Sequence, residues 1–394
     1  MSVVSQSADF QTPVLDSGVL PDRVRKRTSS TTLVGLIVAF FVAIMMIEVV
    51  GLQASGGLDN AYGWFIFAAA LLFSITIHEL GHLSAGWLLR FRFSLISIGP
   101  FCLRVEYGRL KVSFLPEMAA LGYAGMHIDN VRRLRRRLLL YALAGPVAGL
   151  SLVPVGVLFT KYSSFARTHP WSVSFAAEFV MLSILLSSTS LISLGRDSMN
   201  DGSRIAMLLT DYQRTRRLIS VSAIAAQHER GIRPRNWKQT WLSAATSTPD
   251  ESAEDWGGNW LAYISSLDRE EERAAGLYLE KCLKSSRLFT HGVRDLAAQE
   301  AAVFSAWFRG DPVLADRWLA QVKGPKIIQP LQQIRIKVAI CSGRSDFQAA
   351  LEVSQQGLRF IERLPPGPGR EALREMWLEW RNEIEERQNA MTTA

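Results

Sequence analysis

Residues 74–89 read SITIHELGHLSAGWLL, and the centre of this stretch is His78-Glu79-Leu80-Gly81-His82. Two histidines four positions apart on a helix lie on one face, one turn above each other. Both imidazoles can therefore reach one Zn²⁺, which leaves a third ligand to come from elsewhere and a fourth position for water. Glu79 stands beside the first histidine and can accept a proton from that water. The pattern indicates metal-assisted hydrolysis of an amide.

The setting of this motif is apolar. From Ala61 to Leu89 the chain has no acidic or basic side chain other than His78, Glu79 and His82, and the stretch is long enough to cross a bilayer. A five-residue pattern with two open positions arises by chance in many soluble chains. In hydrocarbon, however, each ionisable group costs several kcal/mol unless it is paired or ligated. The membrane setting therefore favours a metal site over a chance match.

Composition indicates two kinds of domain. The chain has 394 residues, and most of its long apolar runs precede residue 200. Cys102, Cys282 and Cys341 are far apart in sequence, so neither a disulfide framework nor a cysteine zinc site is predicted. The net charge is +8, but the densest basic clusters flank apolar runs. Membrane topology explains them better than nucleic-acid binding, and no nucleic-acid partner is expected.

Four membrane spans are predicted, at about 33–52, 61–89, 138–160 and 174–195. Residues 1–32 are polar and are predicted to be disordered. A cleaved signal peptide is the alternative for the first apolar run, but that run is too long and no clear cleavage site follows it. The first span is therefore predicted to be retained.

Basic residues predict the orientation of these spans. They cluster before the first span and between the second and third, which places both termini in the cytoplasm. The clusters comprise Arg23, Arg25, Lys26, Arg27, Arg90, Arg92, Arg104, Arg109, Lys111, Arg132, Arg133, Arg135, Arg136 and Arg137. We expect a multi-pass integral protein of a bacterial cell membrane, in contact with lipid.

The third metal ligand is expected from the end of the fourth span, at the same depth as the histidines. Two carboxylates are available there, Asp197 and Asp201. Gly202 would let the backbone beside Asp201 approach another segment closely. The alternative is an ordinary turn, because Asp-Gly is a common turn dipeptide.

Two further segments have simpler interpretations. Partial alternation from Phe91 to Met126, on either side of Gly108, predicts a β-hairpin that either covers the membrane surface or offers a strand to a substrate. Small residues from Gly145 to Gly149 predict close helix packing that brings spans two and four together. His127 is interpreted as a loop histidine and not as a ligand.

Taken in order, these motifs resemble those of the site-2 proteases, a family of intramembrane zinc metallopeptidases. His78-Glu79-Leu80-Gly81-His82 matches the family's first motif, and Asp201-Gly202-Ser203-Arg204-Ile205 resembles the second. Ala144-Gly145-Pro146 resembles a further family feature. The resemblance implies zinc held by His78, His82 and Asp201, with Glu79 as general base and a membrane protein as substrate.

The second motif departs from the family pattern. Ser193 and Arg196 stand where the family has an Asn and a Pro, and that Asn is implied to help hold unwound substrate. A catalytically inactive, membrane-anchored scaffold is therefore the main alternative to an active protease. A transporter is disfavoured, because it does not explain a water-activating Glu79 between two ligands.

The chain from 206 to 394 has a different character. It has no apolar run long enough to span a membrane, alternates apolar and charged residues at helical spacing, and holds eight of the eleven tryptophans. A loose repeat with a Gly310-to-Gly343 offset of 33 is close to the period of tetratricopeptide helix pairs. The predicted fold class is thus mainly α, with four spans, a β-hairpin segment and a soluble helical domain. That domain is either a tetratricopeptide-like repeat or a generic helical domain, and it is a candidate site for a cytoplasmic protein partner.

Overall fold

The computed structural model describes residues 13–23, 60–106, 108–114, 122–193, 200–289, 291–323 and 330–393. Contacts divide the chain into two compact units. The membrane unit comprises residues 27–226, and the helical unit combines residues 1–26 with residues 227–394.

Helices and one small sheet build the membrane unit. A short helix before it, α1 (Val14–Ser17), belongs to the helical unit. The helices that follow are α2 (Asn60–Leu88), α3 (Leu134–Ser151), α4 (Val153–Tyr162), α5 (Ser164–Thr168), α6 (Pro170–Leu191), α7 (Asp201–Thr210) and α8 (Tyr212–Glu229).

Three helical segments of the described chain are long and apolar enough to cross a membrane: Tyr62–Leu88, Leu134–Tyr162 and Pro170–Leu191. Only 28%, 28% and 33% of their most apolar windows are buried within the protein, so most of their apolar surface faces outward. Exposing such a surface to water costs free energy, whereas exposing it to lipid does not. The three later predicted spans thus coincide, to within a few residues at their ends, with helices that are long and apolar enough to cross a membrane. The predicted first span, 33–52, lies outside the described residues.

The third span begins earlier than predicted. The apolar run begins at Leu138, but α3 begins at Leu134 and includes Arg135, Arg136 and Arg137. Arg135 and Arg137 bond to backbone carbonyls outside α3: Arg135 donates to Leu208 O at 2.6 Å, and Arg137 donates to Leu89 O at 3.1 Å. The prediction used hydropathy, which excludes arginines from a span. A helix can nevertheless extend beyond the hydrocarbon region, with the charged ends of its side chains in water.

A four-stranded antiparallel sheet follows α2. Its strands are β1 (Arg92–Ile98), β2 (Phe101–Glu106), β3 (Arg109–Phe114) and β4 (Gly122–His127), in the order β3-β2-β1-β4. The β2–β3 pair, with Glu106 opposite Arg109, confirms the predicted hairpin. Sequence reasoning did not predict the β1–β4 pairing, which makes β4 an edge strand beside α2.

The boundary between the units is later than predicted. Sequence reasoning ends the membrane domain at residue 205, where the apolar runs stop. The structure continues that unit to Ala226 because Leu218 and Ile219 of α8 pack against a buried cluster. The cluster consists of Phe91, Leu134, Leu138, Tyr141, Met207 and Leu208.

The helical unit is built from a short 3₁₀ turn (Pro234–Asn236) and eight further helices of the described chain. These are α9 (Gln239–Ala245), α10 (Ala253–Asp268), α11 (Glu272–Ser286), α12 (His291–Trp307), α13 (Pro312–Ala320), α14 (Pro330–Gly343), α15 (Phe347–Glu362) and α16 (Pro368–Thr393). Asp311 and Asp346 cap α13 and α15 by accepting from Leu314 N and Ala349 N. The two predicted repeats thus fall on two helix pairs, α12–α13 and α14–α15. Their membership of the tetratricopeptide class stays a prediction.

A buried arginine ties the first part of this unit to its last helix. Arg233 is 5% exposed, pairs with Asp268 of α10, and donates to Glu379 of α16 at 2.7 Å. The hydrogen bond from Arg233 holds the pKa of the Glu379 carboxyl below its usual range. A buried charge that found no partner would destabilise the unit strongly, so this ion pair fixes where α16 packs.

The N-terminal prediction is wrong in part. Residues 13–23, assigned to a disordered segment, include α1 and pack within the helical unit. Leu15 and Leu20 are buried in its main apolar cluster. Residues 1–32 are polar on average, so their composition did not indicate a docked segment. A short segment can dock through only a few apolar side chains, here Leu15 and Leu20.

Candidate metal centre

The two histidines of the first motif lie together on α2. Their Nε2 atoms are 3.3 Å apart, as expected for residues one turn apart that point the same way. His82 is buried, and the His78 side chain is 12% exposed. The site is therefore enclosed by protein but not sealed.

Asp201 completes a three-residue group. Its Oδ2 lies 3.1 Å from His78 Nε2, and its Oδ1 lies 3.3 Å from His82 Nε2. In the part of the chain that the structure describes, His78, His82 and Asp201 are the one group of three potential metal ligands whose donor atoms all lie within 4.8 Å. The predicted ligand set is thus brought together by segments more than a hundred residues apart.

The start of α7 positions Asp201. Asn200 is its N-cap, accepting from Ser203 N at 3.1 Å and donating to Ile192 O at 2.6 Å. These bonds fasten α7 to the end of α6. A Cβ at Gly202 would lie 2.1 Å from Leu191 O, so only glycine permits this approach. The predicted role of Gly202 is confirmed.

The spacing of the donor atoms fits a metal ion. Ligands at about 2.0–2.1 Å from a tetrahedral ion are separated by about 3.3 Å. The separations of 3.1–3.3 Å between the three donor atoms are close to that value. Lone pairs this close repel one another unless a cation or a proton lies between them. The two nitrogens and one carboxylate suit zinc and also other first-row metals.

The carbonyl of Tyr141 orients His82. It lies 2.7 Å from His82 Nδ1, so this nitrogen carries the proton and Nε2 presents its lone pair to the site. The Tyr141 hydroxyl donates to Ala124 O of β4 at 2.8 Å. Tyr141 therefore connects α3, the sheet and one of the candidate ligands.

Gly145 of α3 forms the floor of the site. A Cβ at this position would lie 2.3 Å from His82 Nε2 and 2.8 Å from His78 Nε2. Any side chain there would occupy the space of the histidines. The sequence prediction that this segment packs spans together holds, because α3 contacts both α2 and α6. Its direct contact with the histidines is an additional role.

Glu79 lies against the edge strand. It is 5% exposed, and a Cβ at Gly122 of β4 would lie 2.3 Å from Glu79 Oε1. The backbone of β4 therefore passes directly over the carboxylate. Burial and this close strand restrict the directions in which Glu79 can point.

The other candidate residues lie elsewhere. Asp197 and Arg196 are outside the described residues, so the structure does not compare the two carboxylates. His127 ends β4 opposite Arg92 and is not in the three-residue group. Sequence reasoning missed the site roles of Tyr141 and Gly122. No residue-type signal marks these roles, because Tyr141 contacts His82 through its backbone carbonyl and Gly122 contacts Glu79 through its backbone.

The comparisons give no family assignment: no protein-family model, curated protein or solved structure matches this chain. The resemblance to the site-2 proteases therefore rests on the sequence motifs alone.

Gly145→Ala should lower the bound-metal stoichiometry of purified protein severely, because the new methyl group displaces both imidazoles. Gly63→Ala is the matched control, since a Cβ there meets no atom within 4 Å. Metal analysis of detergent-purified protein measures the effect, and circular dichroism checks that both variants keep their helices. Equal metal content in the two variants would contradict the proposal that Gly145 leaves the space needed by the two imidazoles.

Asp201→Ala should also remove most of the bound metal, whereas Asp197→Ala should change it little. The reason is that Asp201 lies beside both histidines and is the carboxylate to which the motif resemblance assigns the third ligand. Metal titration of the apo proteins tests this. The reverse pattern would assign the third ligand to Asp197.

Proposed function

We propose that this chain is an intramembrane zinc metalloprotease of the site-2 type. It would hydrolyse a peptide bond within or near a transmembrane segment of a substrate protein. The observation that carries the proposal is the convergence of His78, His82 and Asp201 beside the buried Glu79, on a helix that is otherwise apolar.

Zinc would be held by His78, His82 and Asp201. When bound, it supplies Lewis acidity to a water molecule and to the scissile carbonyl. The partial exposure of His78 and of Asp201, whose side chain is 19% exposed, leaves room for a small molecule at the group. A fully buried ligand set would instead indicate a structural metal.

Glu79 is the proposed general base. It accepts a proton from the attacking water and then donates it to the leaving amine. The backbone of β4 at Gly122 lies against its carboxylate and limits where that carboxylate can point. Tyr141 holds His82 in one tautomer throughout, so His82 serves as a ligand and does not shuttle protons.

The position of the motif along α2 supports access to water. His78 lies ten residues before Leu88, which is about 15 Å along a helix. The motif is thus nearer the end of α2 that the basic residues place in the cytoplasm. Water reaches this depth over a shorter path than it would reach the centre of the bilayer.

A substrate helix must unwind before its peptide bond can be attacked, because its amides are protected by internal hydrogen bonds. The edge strand β4 lies beside Glu79 and suits this step. We propose that unwound substrate is held near this strand by β-augmentation.

The docking of the N-terminal segment supports the four-span topology. Residues 13–23 pack in the same unit as residues 227–394, so both must lie on one side of the membrane. The number of crossings between them is then even. Three candidate spans are described, and a further crossing at the predicted 33–52 makes four.

A catalytically inactive scaffold is the second candidate. Ser193 Oγ lies 3.4 Å from Ser203 Oγ, so this residue, which replaces the family Asn, faces the start of α7. Ser193 would then not hold substrate in the way implied for the family Asn. The metal group itself is intact, which favours the protease.

Glu79→Gln should retain metal and fold but reduce cleavage at least about a hundredfold, since an amide cannot accept the proton. The assay co-expresses each variant with a panel of single-span membrane proteins and detects their fragments. Ser84→Ala, an exposed position on the same helix, is the control and should cleave normally. Near wild-type cleavage by Glu79→Gln would refute the mechanism, and a wild-type protein that cuts no panel member would favour the scaffold.

Topology is tested with single cysteines in a variant lacking the three native ones. Asp22→Cys and Thr393→Cys should react with a membrane-impermeant maleimide only after cells are opened. Tyr162→Cys, at the exposed end of α4, should react in intact cells. Labelling of Asp22→Cys and Thr393→Cys from opposite sides would disprove the even number of crossings.

A further inference from the structure

The N-terminal segment of residues 13–22 is held in the helical unit in the manner of a bound peptide. Two apolar side chains anchor it: Leu15 is 2% exposed and Leu20 is 7% exposed. They are five positions apart and enter the cluster that also contains Trp318, Leu314 and Leu279. Val19, between the anchors, remains 55% exposed.

Side chains of the unit bind the backbone of this segment at both ends. The two carboxylate oxygens of Glu280 accept from Val14 N at 2.9 Å and from Leu15 N at 2.7 Å. Trp318 donates its indole N–H to Leu15 O at 3.3 Å, and Arg294 donates to Pro21 O at 2.8 Å. Side chains that bind a partner's backbone give affinity, while pockets for its side chains give specificity.

Two positions restrict which sequences fit. Asp16 forms an ion pair with Arg309 at the rim. Gly18 has φ +68°, and a Cβ there would lie 3.0 Å from Arg317 Cβ and 3.1 Å from Leu314 Cδ1. The groove therefore selects leucine, an acidic residue, a glycine two positions after it, and a second leucine, as in Leu15-Asp16-Ser17-Gly18-Val19-Leu20.

The helical unit has its own core without this segment. Apart from Leu15 and Leu20, every buried member of the cluster lies between Tyr263 and Ile384. The groove walls come from helices that also pack on one another: α11 supplies Glu280, α12 supplies Arg294, and α13 supplies Trp318. Because the helices that line the groove pack on one another without the N-terminal segment, the groove can release one peptide and accept another.

We propose that this groove is an exchangeable peptide-binding site, with residues 13–22 as its intramolecular ligand. A partner protein that presents a leucine–acidic–x–glycine–x–leucine segment binds there in its place. Because the segment belongs to the same chain, its binding is intramolecular, and it occupies the groove until a partner competes. This proposal is independent of the proposed protease activity.

The test measures binding of a fluorescein-labelled peptide of residues 13–23 to full-length protein in detergent. The groove is vacated in two ways: by the variant Leu15→Asp/Leu20→Asp, and by deletion of residues 1–22. Fluorescence anisotropy should show that both vacated proteins bind the peptide at least about tenfold more tightly than wild type does. A peptide carrying the same two aspartates is the control and should not bind.

A further variant locates the site. Glu280→Ala in the vacated background should weaken peptide binding, because it removes the acceptor for two backbone amides. Circular dichroism establishes that each protein is folded. Equal binding to wild-type and vacated proteins, or binding to neither vacated protein above the control peptide, would overturn the proposal.

Discussion

Three ionisable side chains within an apolar helix impose the constraint on which the membrane unit depends. His78, Glu79 and His82 cannot remain unpaired at membrane depth, because each uncompensated group there costs several kcal/mol. Asp201 and the Tyr141 carbonyl meet this requirement for the histidines. The elements that carry these partners, α3 and α7, must therefore approach α2 closely.

Close approach explains the residues around the site. α3 reaches the histidines at Gly145, β4 reaches Glu79 at Gly122, and α7 reaches the end of α6 at Gly202. A single methyl group at any of these positions would overlap a neighbouring atom. The ionisable side chains of α2 need polar partners, and the three glycines allow the segments around the site to approach closely.

Much of this could be predicted from the sequence, because the strongest signals were local. The spacing of His78 and His82 on a helix and the lengths of the later apolar runs each follow from one stretch of chain. The sequence also suggested Asp201, through a requirement of depth. Contacts made by backbone atoms could not be predicted in this way, since a carbonyl such as that of Tyr141 has no residue-type signature. The docked residues 13–23 were missed for a related reason: a polar stretch hid two apolar anchors whose partners are hundreds of positions away.

That distance has a consequence for the order of events in biosynthesis. Leu15 is 303 positions before Trp318, so the N-terminal segment leaves the ribosome long before its binding groove exists. Local elements form first, and contacts of high sequence separation form late. During synthesis the segment must remain undocked while the apolar helices of the membrane unit are made. Its engagement therefore marks the moment at which translation has passed the helices of the groove, and a nascent chain differs from a finished one in whether its first residues are held.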